Sequence, residues 1–286
     1  MSARPSTPSA AAMRSFAAGV VAREVVREAA IRLAEIGVTL APLKGVLLAA
    51  TVDPPGTVRQ YSDADVLVRE RDFARALAHL TDHGWTPQTA IANPSERAIV
   101  SPTLPLPLDV HQRLFAPGRY ALTTDALLSR ARLDESLFGA PVVVLDPYDV
   151  YAHLVGHAVN DHSDARATAV NRDLVLLSDA HRLDPRRCAA HLVQAGLGRA
   201  SRYLLALVHE ATGDSFARAV LELLPRDPVG AVLARAAREV IARAPPRAPI
   251  GAVPAHLLNR TLPAAVHAAV LAAVHHARAR RERGRG

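Results

Sequence analysis

The sequence predicts an α+β fold, in which a mixed sheet with helices is followed by an all-helical region. Up to about residue 145, short segments of alternating polar and apolar residues are interspersed with helical segments. Beyond that point, apolar residues recur at helical spacing, and prolines or glycines separate the segments. We therefore predict an α+β domain over 13–145 and a helical C-terminal domain over 146–286. A Ser-, Ala- and Pro-rich tail at 1–12 precedes them and is expected to be disordered.

The α+β domain is predicted to begin with a helix. Phe16, Val20 and Val25 recur at helical spacing within 13–36, and Gly37 supplies the end of this helix. The predicted strands that follow cover 38–43, 64–68, 97–100, 106–114 and 142–145. Two further helices, over 46–50 and 71–83, are predicted between them.

The C-terminal domain is predicted to consist of helices alone. They cover 147–159, 169–180, 185–195, 199–212, 228–244 and 254–281. A short Pro-rich segment at 245–249 separates the last two helices and is the clearest linker in the chain. Because no repeat of fixed length is visible, the pattern does not indicate a repeat protein.

Composition excludes several classes of protein. The 286 residues are 50% apolar and 21% charged, which is typical of a globular chain and not of a disordered or fibrous one. No apolar segment reaches the roughly 18 residues of a membrane-spanning helix, and the N-terminus lacks a signal-peptide pattern, so we expect a soluble, cytoplasmic protein with no membrane partner. Because Cys188 is the only cysteine, an internal disulfide is excluded, and a metal would be bound by oxygen or imidazole.

The net charge of +7 suits a nucleic-acid partner, but the distribution of the cations does not favour one. Most of the 34 basic residues are arginines dispersed along predicted helices. A short basic run at the C-terminus consists of Arg278, Arg280, Arg281, Arg283 and Arg285. We interpret this run as a solvated helix end, with a contact to RNA or phosphate as the alternative.

Lys44 is the only lysine in a chain that otherwise uses arginine for its cations. A compact ammonium group suits sites where a planar guanidinium does not fit. The segment 42–45, PLKG, joins a predicted strand to a predicted helix, which is where phosphate-binding turns commonly lie. Lys44 is therefore a candidate phosphate contact.

Three aspartates are candidates for a metal site. Asp63 and Asp65 are two residues apart at the start of a predicted strand, so their side chains would share one face. Asp109 lies between apolar neighbours in a second strand, and it would complete the site if the two strands are adjacent. Carboxylates held side by side repel one another, and a divalent cation relieves that repulsion. Oxygen donors predict Mg²⁺ or Mn²⁺ rather than zinc.

These residues belong to a combination of motifs found in one family. The motifs are LKG at 43–45, RQYSDADVLV at 59–68, HGW at 83–85 and LDVH at 108–111. In this combination the sequence resembles the uncharacterised nucleotidyltransferase family of the DNA polymerase β superfold, whose pattern reads LKG, then R with DxDxLV, then DxH. His153, His157 and the segment 171–174, NRDL, extend the resemblance, which covers about residues 38–210.

The resemblance implies a polymerase β-like nucleotidyltransferase domain with a mixed sheet. It also implies transfer of a nucleoside monophosphate from an NTP, with ATP as the favoured donor, by a two-metal mechanism. Asp63 and Asp65 would bind the metal ions. Asp109 would be the third ligand, or the general base for the acceptor hydroxyl.

The phosphate-binding turn departs from the usual pattern of the superfold. Where that turn normally has glycine and serine, this sequence has Lys44-Gly45 followed by Val46. The resemblance then implies that the Lys44 ammonium and the Gly45 backbone N–H contact the triphosphate in place of a serine hydroxyl. Arg59 precedes the first aspartate by four residues and could reach a phosphate too, or pair with an acid at the surface.

Four further polar residues are candidates for substrate contact or for support of the site. His111 follows the third aspartate by two residues and should face the same side of the strand. His153 and His157 have the spacing of metal ligands on a helix, with a hydrogen-bonded helix face or a substrate contact as alternatives. Asp173 could reach the site, or form a structural pair with the preceding arginine.

Three functions stay open at this point. The favoured one is a Mg²⁺-dependent nucleotidyltransferase whose hydroxyl or phosphate acceptor belongs to a small molecule, a peptide or protein, or RNA. A second is a catalytically idle scaffold that binds nucleotide or a partner protein through the same site. A third is a toxin-like tRNA nucleotidyltransferase, which would need a contiguous basic face. The fold alone does not identify the acceptor.

Overall fold

A computed structural model describes residues 10–88, 95–161, 168–243 and 258. Its contacts divide the chain into two compact units. The first unit runs to Arg113 and includes Leu128–Leu145, and the second includes Leu114–Leu127 and the chain from Asp146 onward. Strands and helices make up the first unit and helices the second, so the described residues have the α+β class that the sequence predicts.

A five-stranded mixed sheet is the centre of the first unit. Its strands are β1 (Ala41–Pro42), β2 (Ala64–Leu67), β3 (Thr86–Pro87), β4 (Glu96–Val100) and β5 (Pro107–His111). They lie in the order β1-β2-β5-β4-β3, in which only β2 and β5 are parallel neighbours. Two more strands, β6 (Arg132–Asp134) and β7 (Val142–Val144), form a separate antiparallel pair.

Three helices pack around this sheet. They are α1 (Ala10–Ala34), α2 (Lys44–Thr51) and α3 (Phe73–Asp82). Both α1 and α2 contact β2, and α1 also contacts α3. The buried face of α1 consists of small and branched side chains that allow close packing, namely Ala22, Val25, Val26, Ala29 and Leu33. Trp85, just after α3, is buried in the core.

The second unit is helical. After α4 (Thr124–Arg130), at the boundary between the units, its helices are α5 (Pro147–Asp161), α6 (Thr168–Ala180), α7 (Pro185–Gln194), α8 (Gly198–Thr212), α9 (Ser215–Leu223) and α10 (Pro228–Arg243). The helix α5 contacts α6, α7 and α8, and α9 contacts α7 and α8. Cys188 on α7 is buried, and burial raises the pKa of its thiol to about 12, as expected for a packing residue rather than a nucleophile.

Some elements differ from the sequence prediction. The strand predicted over 38–43 is reduced to Ala41–Pro42, because the N–H of Val38 still donates to the Leu33 carbonyl in the turn after α1 and because α2 already begins at Lys44. The helix α1 already begins at Ala10, within the segment predicted as disordered, since its first residues are alanines with high helix propensity. The elements α4, α9, β3 and β6 were not predicted, because each is short.

Several predicted features lie outside the described residues. These are the tail at 1–9, the linker at 245–249, the helix at 254–281 and the basic run of the C-terminus. Among the helices that the structure does describe, none combines the length and the apolar character needed to cross a membrane.

Asp214 tests how much helix capping stabilises the second unit. Its carboxylate accepts hydrogen bonds from the backbone N–H of Ala217 at 2.8 Å and of Phe216 at 3.4 Å, at the start of α9. Asp214→Ala should lower the free energy of unfolding by about 1 kcal/mol, whereas Asp214→Ser keeps an acceptor and should stay close to the wild type. Urea unfolding followed by circular dichroism measures both. Equal unfolding midpoints for Asp214→Ala and the wild type would contradict the capping role.

Candidate active site

The parallel pairing of β2 with β5 places two aspartates side by side. In this register Asp65 lies opposite Asp109. Alternation along the strands sends Val66 and Val110 to the other face of the sheet, where both are fully buried. The strands that carry the candidate carboxylates are therefore neighbours, as a shared metal site requires.

The third candidate, Asp63, lies just before β2 and is half-buried. The ligand atoms that lie within 4.8 Å of one another belong to Asp65, Asp109 and His111, a group that does not include Asp63. The charge of Asp63 nevertheless contributes to a raised pKa of Asp109. The structure thus brings two of the three predicted carboxylates into one cluster with His111, and it leaves Asp63 beside that cluster.

Asp65 is buried, with 8% of its surface exposed, and is held by two side chains. Lys44 Nζ donates to Asp65 Oδ1 at 2.7 Å, and His111 Nε2 lies 2.9 Å from the same oxygen. Burial alone would raise the pKa of Asp65, but the hydrogen bond to His111 and the Lys44 ammonium outweigh burial and hold this pKa well below its usual range. Asp65 is therefore ionised at neutral pH.

The surroundings of Asp109 raise its pKa, whereas those of Asp65 lower its pKa. Burial raises the pKa of Asp109 to about 6, and the like charges of Asp63 and Asp65 add to that effect. Burial and the charge of Asp65 also raise the pKa of Asp63. The charges of Asp109 and Asp63 therefore lack the compensation that Asp65 has, and a bound cation would favour their ionised forms.

His111 connects Asp65 to a residue that the sequence did not single out. Its Nδ1 lies 3.3 Å from Glu96 Oε2, and the antiparallel register of β4 with β5 sets the two residues opposite each other. Glu96 is the first residue of β4, one position before the strand predicted from the sequence. A strand extended by one residue would have placed Glu96 on the sheet, but its partner depends on a long-range register that the sequence pattern does not reveal.

Lys44 lies at the turn between β1 and α2. Its backbone has φ 47, in the left-handed region that residues other than glycine rarely adopt. The preceding N–H, from Leu43, donates to the backbone carbonyl of Asp65 at 2.9 Å, which keeps the turn against β2. A strained backbone that holds a cation on a buried carboxylate is typical of functional sites. In this structure the predicted phosphate contact is thus an ion-pair partner of Asp65.

The backbone carbonyl of Gly45 and the side chain of Arg59, the other two predicted phosphate-binding residues, also have protein partners. The Tyr61 hydroxyl donates to the backbone carbonyl of Gly45 at 3.3 Å. Arg59 binds Asp53 through Nε at 2.5 Å and through Nη2 at 2.8 Å, and these side chains are only 11% and 5% exposed. Of the two alternatives for Arg59, the structure contains the acid pair, and it is buried rather than at the surface. Arg59 and Tyr61 also line a cleft of about 190 Å³ with Val46.

The remaining candidates lie in the second unit. His153 on α5 is buried, and its ring meets the edge of Phe115 with centroids 6.0 Å apart. The ring of His157 is 5.9 Å from that of His153. Neither histidine belongs to a group of three metal-ligating side chains within the described part of the chain. Asp173 is half-exposed on α6. Roles for these three residues in substrate binding stay predictions.

Comparison with known proteins agrees with the motifs. A family model described as uncharacterised nucleotidyltransferase matches residues 10–213. The antibiotic-resistance factor ANT(2'')-Ia is 15% identical with a TM-score of 0.45, over 70% of this chain and 100% of its own. An antigenic nucleotidyltransferase-like protein from Paracoccidioides brasiliensis is 14% identical with a TM-score of 0.46, over 73% of this chain and 95% of its own. No curated protein matches the sequence significantly.

The raised pKa of Asp109 predicts a pH-dependent stability. Because the folded state binds this proton more tightly than the unfolded state, the contribution of Asp109 is fully present below the unfolded pKa of about 4 and is lost as the pH rises through about 6. Without divalent cations, Asp109→Asn should exceed the wild type in unfolding free energy by on the order of 1–2 kcal/mol at about pH 7.5, and by much less at about pH 4.5. Chemical unfolding in EDTA at both pH values measures the difference.

Glu222→Gln is the matched control for that measurement, since Glu222 is an exposed acid on α9 that pairs with Arg218. It should follow the wild type at both pH values. An effect of Asp109→Asn that is the same at both pH values would contradict the electrostatic cause assigned to the pKa.

Proposed function

Since the chain belongs to the uncharacterised nucleotidyltransferase family, we propose that it transfers a nucleoside monophosphate from an NTP to a hydroxyl or phosphate acceptor, with Mg²⁺ or Mn²⁺ and with ATP as the favoured donor. The observation that carries this proposal is the pair Asp65 and Asp109, side by side on neighbouring parallel strands. Two adjacent carboxylates on a rigid sheet are a donor set for a hard divalent cation that also binds substrate phosphates.

The chemistry of these side chains fits such a cation. Lys44 and His111 both contact Oδ1 of Asp65, and Oδ2 of that carboxylate would be the oxygen that binds an ion. Asp109 offers a second carboxylate in which like-charge repulsion favours a bound cation. Asp63, beside this pair, would serve the second ion of a two-metal site. Bound there, Mg²⁺ would neutralise charge on the triphosphate and on the departing pyrophosphate.

Lys44 would bind the triphosphate after leaving its present partner, Asp65. Its ammonium now compensates Asp65, a role that a cation on the same carboxylate would take over. The ammonium, next to the N-terminus of α2 and the N–H of Gly45, would then contact phosphate oxygens, where the helix dipole and backbone donors favour an anion. Arg59 would support this region through its buried pair with Asp53, and contact a phosphate only by leaving that pair.

Asp109 would act as the general base. The proton would go to the oxygen of this carboxylate that does not bind the cation; in the metal-free site the pKa of Asp109 is about 6, and a bound cation would lower that value. The acceptor O–H would give its proton to Asp109 while its oxygen forms a bond to the α-phosphorus, and the bond from that phosphorus to the pyrophosphate oxygen breaks. His111 would keep Asp65 ionised and in place during this step. The acceptor would be a small molecule, a peptide or protein, or RNA.

Nucleotide binding tests the proposal before an acceptor is known. Calorimetry with the four α,β-methylene NTP analogues, which resist transfer, should show saturable binding that requires Mg²⁺ or Mn²⁺. Asp65→Asn and Asp109→Asn should each weaken the cation-dependent binding by on the order of tenfold or more, since each removes a charged ligand. Lys44→Met should weaken it as well, because the triphosphate loses a cation.

Glu222→Gln, with its exposed acid on α9, is the control and should bind like the wild type. Circular dichroism would establish that each variant is folded. Absence of binding of every analogue by folded wild-type protein would contradict the transferase and favour the idle scaffold. Binding that is insensitive to EDTA and to both asparagine variants would contradict the assignment of Asp65 and Asp109.

A further inference from the structure

A second cluster of metal-ligating side chains lies in the first unit and shares no residue with the candidate active site. Glu35 follows the end of α1, and His79 and His83 lie one turn apart at the end of α3. Glu35 Oε2 is 3.1 Å from His79 Nε2 and 3.6 Å from His83 Nε2. These three ligand atoms all lie within 4.8 Å of one another.

We propose that Glu35, His79 and His83 bind a transition-metal ion, and that the ion is Zn²⁺. Two imidazoles and one carboxylate are a zinc donor set, and the spacing of the histidines puts both on one face of α3. In a tetrahedral site with bonds of about 2.0–2.1 Å, neighbouring ligand atoms are about 3.3 Å apart. The two distances from Glu35, 3.1 and 3.6 Å, lie on either side of that value.

The tautomer of His83 supports the assignment. Its Nδ1 lies 2.8 Å from the backbone carbonyl oxygen of His79. Because a carbonyl only accepts hydrogen bonds, Nδ1 carries the proton, and in the neutral ring Nε2 directs a lone pair towards Glu35. A lone pair that faces a carboxylate oxygen is repelled unless a proton or a cation lies between them. Histidines that bind metals are commonly fixed by such a bond from the other ring nitrogen.

The Glu35 carboxylate is also oriented by a hydrogen bond. Arg32 Nη1 donates to Glu35 Oε1 at 2.9 Å, so that Oε2 is the oxygen turned towards the histidines. This hydrogen bond also lowers the pKa of Glu35, which keeps the carboxylate ionised and ready to bind a cation. A second hydrogen bond on a ligating carboxylate is the usual support of a metal site.

Three protein ligands leave a fourth position for water. The cluster is open to solvent, since the Glu35 and His83 side chains are 40% and 33% exposed. An ion from solution can therefore enter without unfolding either helix. Once bound, it would link the end of α1 to the end of α3, and it would stabilise the packing of these helices on each other. Zinc binding at this cluster does not depend on the proposed transfer reaction.

Zinc binding by the full chain tests the site. The parent protein should carry Asp65→Asn and Asp109→Asn, which remove two of the three ligands of the cluster at the candidate active site and so weaken zinc binding there. Calorimetry with ZnCl₂ at about pH 7.5 should show about one ion per chain, since zinc binding requires deprotonated ligands. His83→Ala and Glu35→Gln should each weaken binding by on the order of tenfold or more. Co²⁺ should give the visible absorption of a tetrahedral site in the parent and lose it in both variants.

His181→Ala, which removes an exposed histidine in the second unit, is the matched control and should bind zinc like the parent. Zinc should also raise the Tm of the parent and leave that of the two site variants unchanged, because only the native cluster binds the ion. Glu35 is exposed, and glutamine has nearly the same shape, so Glu35→Gln should fold. This variant therefore tests the site even if His83→Ala does not fold. Absence of zinc binding by the parent, or equal affinity in parent and Glu35→Gln, would overturn the proposal.

Discussion

The parallel pairing of β2 with β5 sets Asp65 beside Asp109, and the surrounding residues of the first unit accommodate these adjacent charges. The residues on either side of the two aspartates, Ala64 and Val66 in β2 and Leu108 and Val110 in β5, are buried in the core. A shift in register that turned the aspartates to the other face would therefore displace these apolar side chains from the core. Apolar packing on one face of the sheet therefore fixes the carboxylates on the other. The turn at Lys44, which is strained by its positive φ, holds an ammonium on Asp65. This ion pair compensates one of the two adjacent negative charges.

The negative charges of the two aspartates are compensated to different extents, so the pKa values of the two carboxyl groups differ. Asp65 is held by Lys44 and His111, which lower its pKa, whereas burial and neighbouring carboxylates raise the pKa of Asp109 to about 6. Two acids whose environments separate their pKa values can divide the roles of fixed ligand and proton acceptor. Lys44 compensates Asp65 in the metal-free site, and its proposed contact with the triphosphate would require it to leave that carboxylate.

The sequence predicted the elements that carry the candidate site better than the contacts made there. Local pattern was sufficient for β2, β5 and the turn before α2, because alternation and Gly45 are visible in the chain. The partners of these residues depend on which strands pair and in what register, so the ion pair of Arg59 with Asp53 and the contact of His111 with Glu96 could not be inferred. The cluster at Glu35 likewise requires α1 to pack on α3, although the spacing of its two histidines was visible.

Anomalous diffraction from crystals grown with Mn²⁺ and an α,β-methylene NTP would test the central claim most directly, because it locates the cation relative to named side chains. The account predicts a manganese peak bound by Asp65 and Asp109, with the triphosphate in contact with that ion and with Lys44. Nucleotide bound elsewhere with no manganese at these two aspartates, or an Asp109 side chain that points away from Asp65, would contradict it.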